Sequence, residues 1–142
     1  PPPAERIALA DLKPGHWVAL FRQLDMTGVT RSMAGNSLLV EVTGNQLRLM
    51  LDETQATLFN DEHRKRIEAA MMAYFEVRIE LQMLAGAING ETPVAMRKRL
   101  EQEYRESARR KFSHDPMVQE LVRQFAAEIQ PESVVPLEPF QW

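Results

Sequence analysis

Between Leu38 and Leu51 every second residue is apolar, and the run is broken once, by Gly44-Asn45. Leu38, Val40 and Val42 alternate with Leu39, Glu41 and Thr43, and Leu47, Leu49 and Leu51 alternate again beyond the break. A period of two with β-branched content is the pattern of a half-buried strand, and Gly-Asn at the joint is a tight-turn signal. The chain must therefore fold around a β-hairpin with one apolar face, here the face of Leu38, Val40 and Val42.

On both sides of the hairpin the period becomes helical. Pro14 suits a first turn, with Trp17, Leu20, Phe21 and Leu24 following at helical spacing. Gly28 interrupts; a second short helix carries Val29 and Met33 on one face and leaves at Gly35-Asn36. From Thr54 to Phe75, Ala56 and Phe59 line one short segment, and Ile67, Ala70, Met71 and Tyr74 line a longer one. Asn60-Asp61 separates them, with Asp61 expected to accept from the first free N–H groups. Val77, Ile79, Leu81 and Met83 then alternate as a third strand. Thr92-Pro93 and Asp115-Pro116 each place a capping residue before a proline. After the first comes a narrow stripe of Met96, Leu100, Tyr104, Ala108 and Phe112, one residue in four. The second opens a broader face of Val118, Leu121, Val122, Phe125, Ala126 and Ile129.

The order helix, strand, strand, helix, helix, strand, helix, helix predicts an α+β fold: a small three-stranded sheet, hairpin plus one remote strand, packed by helices. Its αββααβ core resembles the second type of KH domain. The GxxG loop by which KH domains clamp a nucleic-acid backbone is replaced by Leu58-Phe59-Asn60-Asp61. Prolines at Pro1 to Pro3 read as a linker end, and the run from Gln130 to Trp142 holds three prolines and no helical period. The expected organisation is a linker end at 1–10, one α+β domain at 11–129 and an extended tail at 130–142. The isolated domain is expected to be monomeric.

Catalysis finds little support. The 142 residues include no cysteine, which excludes a thiolate metal site and a cysteine nucleophile. His16, His63 and His114 fall in three separate segments and form no spaced ligand pair. Asp52-Glu53 and Asp61-Glu62 sit where helices begin, and the helix dipole already favours acids there. No GxSxG, GxxxxGK[ST] or GxGxxG motif occurs. The expectation is a non-catalytic domain with no cofactor and no metal. No stretch of 18 apolar residues is present, and the opening has neither the basic nor the apolar region of a signal peptide, so the cytoplasm is the expected location.

Two surface features remain. Between Arg97 and Lys111 seven basic residues face three acids, a local charge of +4, with Arg105, Arg109, Arg110 and Lys111 as candidate phosphate contacts. The plainer reading is a solvated face with Glu and Arg at i, i+4, as in Glu101 with Arg105 and Glu106 with Arg110. At the other end Val134, Val135, Leu137, Phe140 and Trp142 are apolar without a period to bury them, and 128–142 holds three acids and no base. Such a tail either folds back on its own domain or docks in a partner's groove.

The arrangement resembles the C-terminal domain of the tau subunit of bacterial DNA polymerase III. The resemblance rests on Trp17-Val18-Ala19-Leu20, Gly28 through Ser37, Glu91-Thr92-Pro93 with Arg97, Asp115-Pro116, and Phe125 through Glu132-Ser133-Val134-Val135-Pro136. It spans roughly Asp11 to Pro136. It implies a tether that binds the catalytic alpha subunit of the polymerase within the replisome, through the last helix near Phe125 and through Ser133, Val134, Val135 and Pro136. Leu137, Phe140 and Trp142 join that candidate interface on composition alone. The alternative is a nucleic-acid-binding domain that uses the basic helix.

Overall fold

The computed structural model describes residues 5–125 together with Phe140 and Trp142. Its helices are α1 (Trp17–Gln23), α2 (Gly28–Gly35), α3 (Asp61–Phe75), α4 (Pro93–His114) and α5 (Pro116–Phe125), and its strands are β1 (Ser37–Thr43), β2 (Gln46–Asp52) and β3 (Glu80–Gly86). Short 3-10 turns precede α1 and fill Glu53–Leu58 before α3. The fold is α+β with a three-stranded mixed sheet packed by helices. The chain divides into two units, Pro1–Ala95 and Met96–Trp142.

In the first unit the sheet order is β1-β2-β3, with β1 and β2 antiparallel and β2 and β3 parallel. Gly44 has φ +60, the left-handed value that the first central residue of a type II′ hairpin turn needs. Leu47, Leu49 and Leu51 face the core at 2%, 0% and 0% exposure. The expected inward face of β1 needs correction. Ser37 and Leu39 are buried, Leu38 is half-buried and Val40 is exposed. The pairing register shifts between Leu39 and Glu41, so Val40 is the extra residue of a β-bulge. Leu39 opposite Leu49 and Val42 opposite Leu47 then point the same way, although their numbers differ in parity.

The helices close over that face. Trp17, Leu20 and Phe21 of α1, Met33 and Ala34 of α2, and Ile67, Met71 and Tyr74 of α3 are all buried with Ile79, Leu81 and Met83. The Trp17 indole donates to the Ser37 carbonyl at 2.9 Å, and the Ser37 hydroxyl donates to the Met33 carbonyl at 2.7 Å, which satisfies the polar groups this junction buries. On α2 the core takes Met33 with Thr30 and Ala34, while Val29 is exposed, contrary to the expected pairing of Val29 with Met33. Gly35 is where α2 meets the start of α4: an added Cβ would lie 2.8 Å from Val94 Cγ2 and 3.2 Å from the Phe21 ring.

Three further expectations are corrected. Asn60, not Asp61, caps α3, its side chain accepting from the Glu62 N–H at 2.8 Å. Ala56 and Phe59 are exposed, because a 3-10 turn follows β2 where a buried helix was expected. Val77 lies before β3 and is exposed; the strand starts at Glu80 and continues to Gly86. Within 1–10, residues 5 to 7 are bound to the fold. Arg6 sits 4.3 Å over the Tyr74 ring and donates to the Tyr74 carbonyl, and the Ile7 N–H donates to the Tyr74 hydroxyl at 2.7 Å.

In the second unit Asp115 caps α5, accepting from the N–H groups of Met117 and Val118 at 2.7 and 3.3 Å. The stripe of α4 is half-buried from Met96 through Ala108, but Phe112, expected on it, is exposed.

Candidate interaction surface

The first unit keeps its polar chemistry paired. On the outer face of the sheet Arg48 bonds to Glu41 at 2.8 Å and to Gln82 at 2.8 Å, and Gln46 donates to Glu80 at 3.2 Å. These side chains line a shallow groove with Thr43, Leu47 and Leu81. Each charge in it already has a partner, and no proton donor or nucleophile is set apart there.

The histidines stand apart from one another. His16 Nδ1 accepts from the Lys13 N–H at 3.1 Å in the turn before α1, His63 bonds to the Thr30 hydroxyl at 2.7 Å, and His114 ends α4. Asp52 accepts from the Thr54 N–H at 3.0 Å, a turn-starting role. Asp61 accepts from Arg64 at 2.6 Å, and this hydrogen bond, with the charges of Arg64 and Lys65, holds its carboxyl below the usual carboxylate range. The same bond to Asp61 raises Arg64 above its ordinary value. Among the described residues no group of three or more His, Cys, Asp or Glu could hold a metal ion, and no helix is long and apolar enough to cross a membrane.

The second unit is different in kind. Met117 is 75% exposed, Leu121 49% and Phe112 41%. Met117 and Leu121 are spaced i, i+4, one turn apart on the same side of α5, so their exposed surfaces adjoin. Met117 fell outside the expected face of α5, which began at Val118; the i, i+4 match to Leu121 was the signal that could have included it. On α4, Arg105 pairs with Glu101 at 2.9 Å and Arg99 with Glu103 at 3.1 Å. Among the described residues Arg109, Arg110 and Lys111 have no ion pair, but at 100° per residue these three consecutive cations point in divergent directions.

Of the expected partner-binding residues, Ser133, Val134, Val135, Pro136 and Leu137 lie outside the described residues, and so does the side chain of Phe125. Phe140 and Trp142 are described and half-buried. The Phe140 ring lies 5.8 Å from the Tyr104 ring of α4, tilted by 45°.

A family described as "DNA polymerase III tau subunit V interacting with alpha" matches residues 3–134. The chain belongs to this family. The match takes in every described strand and helix of both units together with Ser133 and Val134, and stops short of Val135 to Trp142. The chain is also similar to the DNA polymerase III subunit tau/gamma of Haemophilus influenzae (strain ATCC 51907 / DSM 11121 / KW20 / Rd), at 26% identity over 121 residues. That alignment covers 85% of this chain and 18% of the relative, so the chain corresponds to a small part of that subunit's length.

Proposed function

We propose that this chain is a non-catalytic tether that holds the catalytic alpha subunit of DNA polymerase III within the replisome during chromosomal DNA replication in the cytoplasm. The observation that carries the reading is the family match over residues 3–134, to a domain described as interacting with alpha. The geometry supports it: the large apolar side chains of the core are buried in the first unit, whereas α5 presents Met117 and Leu121 to solvent immediately before the tail. Exposed apolar residues on one helix side are what a helix-in-groove contact uses, and an adjoining extended segment enlarges the contact. The partner contact is assigned to the exposed side of α5 with Phe125, Ser133, Val134, Val135, Pro136, Leu137, Phe140 and Trp142. Prolines in the tail limit the entropy lost on binding.

Direct phosphate contact by Arg105, Arg109, Arg110 and Lys111 is the weaker use of this unit. Arg105 is engaged with Glu101 and the other three diverge around the helix. Calorimetry of the purified chain against the alpha subunit tests the proposal. A saturable complex that survives Arg109→Gln and Arg110→Gln is expected. If no complex forms, while duplex or single-stranded DNA binds with a salt slope that those substitutions reduce by about one unit each, the tether gives way to the nucleic-acid reading.

A further inference from the structure

The ring contact between Tyr104 and Phe140 places the chain's own C-terminal tip on α4. Both residues belong to the unit Met96–Trp142, both are half-buried, and the aromatic pair falls within the 4.5–7 Å range of favourable tilted packing. The two stretches of sequence also carry opposite charge. The stretch of α4 from Arg97 to Lys111 carries a net charge of +4, and 128–142 carries three acids and no base.

We infer that α4 is the docking site for the chain's own C-terminal tip, and that the Tyr104–Phe140 contact is a latch which the polymerase must open. This rests on the proposal that the tail contacts alpha. A binding segment seated on its own helix is competent only for the fraction of time it is released, and its apparent affinity falls by that fraction. The latch therefore sets how readily the tail engages and leaves the strength of the finished contact unchanged.

The test uses the whole 142-residue chain. Tyr104→Ala should tighten binding to alpha by about two- to tenfold, the range an aromatic pair supplies, and Tyr104→Phe, which keeps the ring, should match the parent. In the free parent chain, nuclear Overhauser contacts between the rings of residues 104 and 140 should be present, and saturating alpha should abolish them. Absent ring contacts in the free chain would overturn the latch and leave the tail reading untouched. Ring contacts that persist in the complex would overturn it too, as would unchanged or weaker binding by a folded Tyr104→Ala chain. In the Tyr104→Ala background, deleting 133–142 separates the two ideas: weaker binding supports both, and unchanged binding overturns the tail reading and the competition with it.

Discussion

Single side chains decide where this fold can and cannot be altered. Leu49 is fully buried in the central strand, so Leu49→Asp places a charge where no partner can reach it. The substituted chain should be unfolded at 25 °C by circular dichroism; a thermal midpoint within a few degrees of the parent would contradict the register given for β2. Gly35→Ala is a subtler case. Its Cβ meets Val94 and Phe21, and a β-branched valine has few rotamers to move into, so a loss of about 1–3 kcal/mol is expected from overpacking. Asn60→Ala should lose about 1 kcal/mol as a helix cap, measured by urea unfolding. Asp61→Asn should act through its ion pair with Arg64 instead. The folded Asp61 carboxyl is held below its unfolded value of about 3.9, so its contribution is complete above that pH and fades as pH falls through the folded value. Parent and Asp61→Asn should therefore differ at neutral pH and converge once the pH has fallen below the folded value; a difference that persists in strong acid would argue against the pairing.

Among the elements, β3 shows how an exposed strand edge is managed. The Glu80 N–H donates to Asn45, toward β2, so in a parallel ladder the groups of Leu81 point the other way, to the free edge. There the Leu81 N–H donates to Glu68 at 2.8 Å and its carbonyl accepts from Arg64 at 2.9 Å, and the two side chains also bond to each other. Charged groups from α3 thus stand where a fourth strand would begin, a recognised means of blunting edge-to-edge association. Glu68→Leu removes the acceptor and should cost about 1–3 kcal/mol with faster hydrogen exchange at Leu81; unchanged exchange would show that water replaces the carboxylate without loss. None of this was legible in the sequence, since a side-chain clamp between residues 64, 68 and 81 has no periodic signature. The hairpin, the third strand and the Thr92 and Asp115 caps were legible, because period and cap chemistry are local. The bulge at Val40 was not: it depends on which residues of β1 find partners on β2, and alternation alone placed Val40 inside. The candidate interface divides in the same way. On α5 the exposed pair Met117 and Leu121 has a local i, i+4 spacing, whereas the seat of Phe140 on Tyr104 joins residues 36 positions apart that no local pattern connects.

For the whole molecule, the first unit supplies a sheet and helix core with its polar groups satisfied, and among the described residues no buried side-chain nitrogen or oxygen lacks a partner. Such a body is expected to remain folded without the tail. The second unit carries exposed apolar surface on α5 and the aromatic tip, where the contact with the polymerase is assigned. Removing Ser133 to Trp142 should leave the thermal midpoint within a few degrees of the parent. Met117→Ser and Leu121→Ser should weaken the complex with little effect on the midpoint, since both side chains are already exposed. The most direct measurement is the affinity of the purified alpha subunit for the parent chain and for the chain lacking 133–142, by calorimetry at one salt concentration. The tether account requires a complex with the parent and at least a tenfold loss on truncation, with the circular-dichroism spectrum of the body retained. Parental affinity in a folded truncated chain would contradict it.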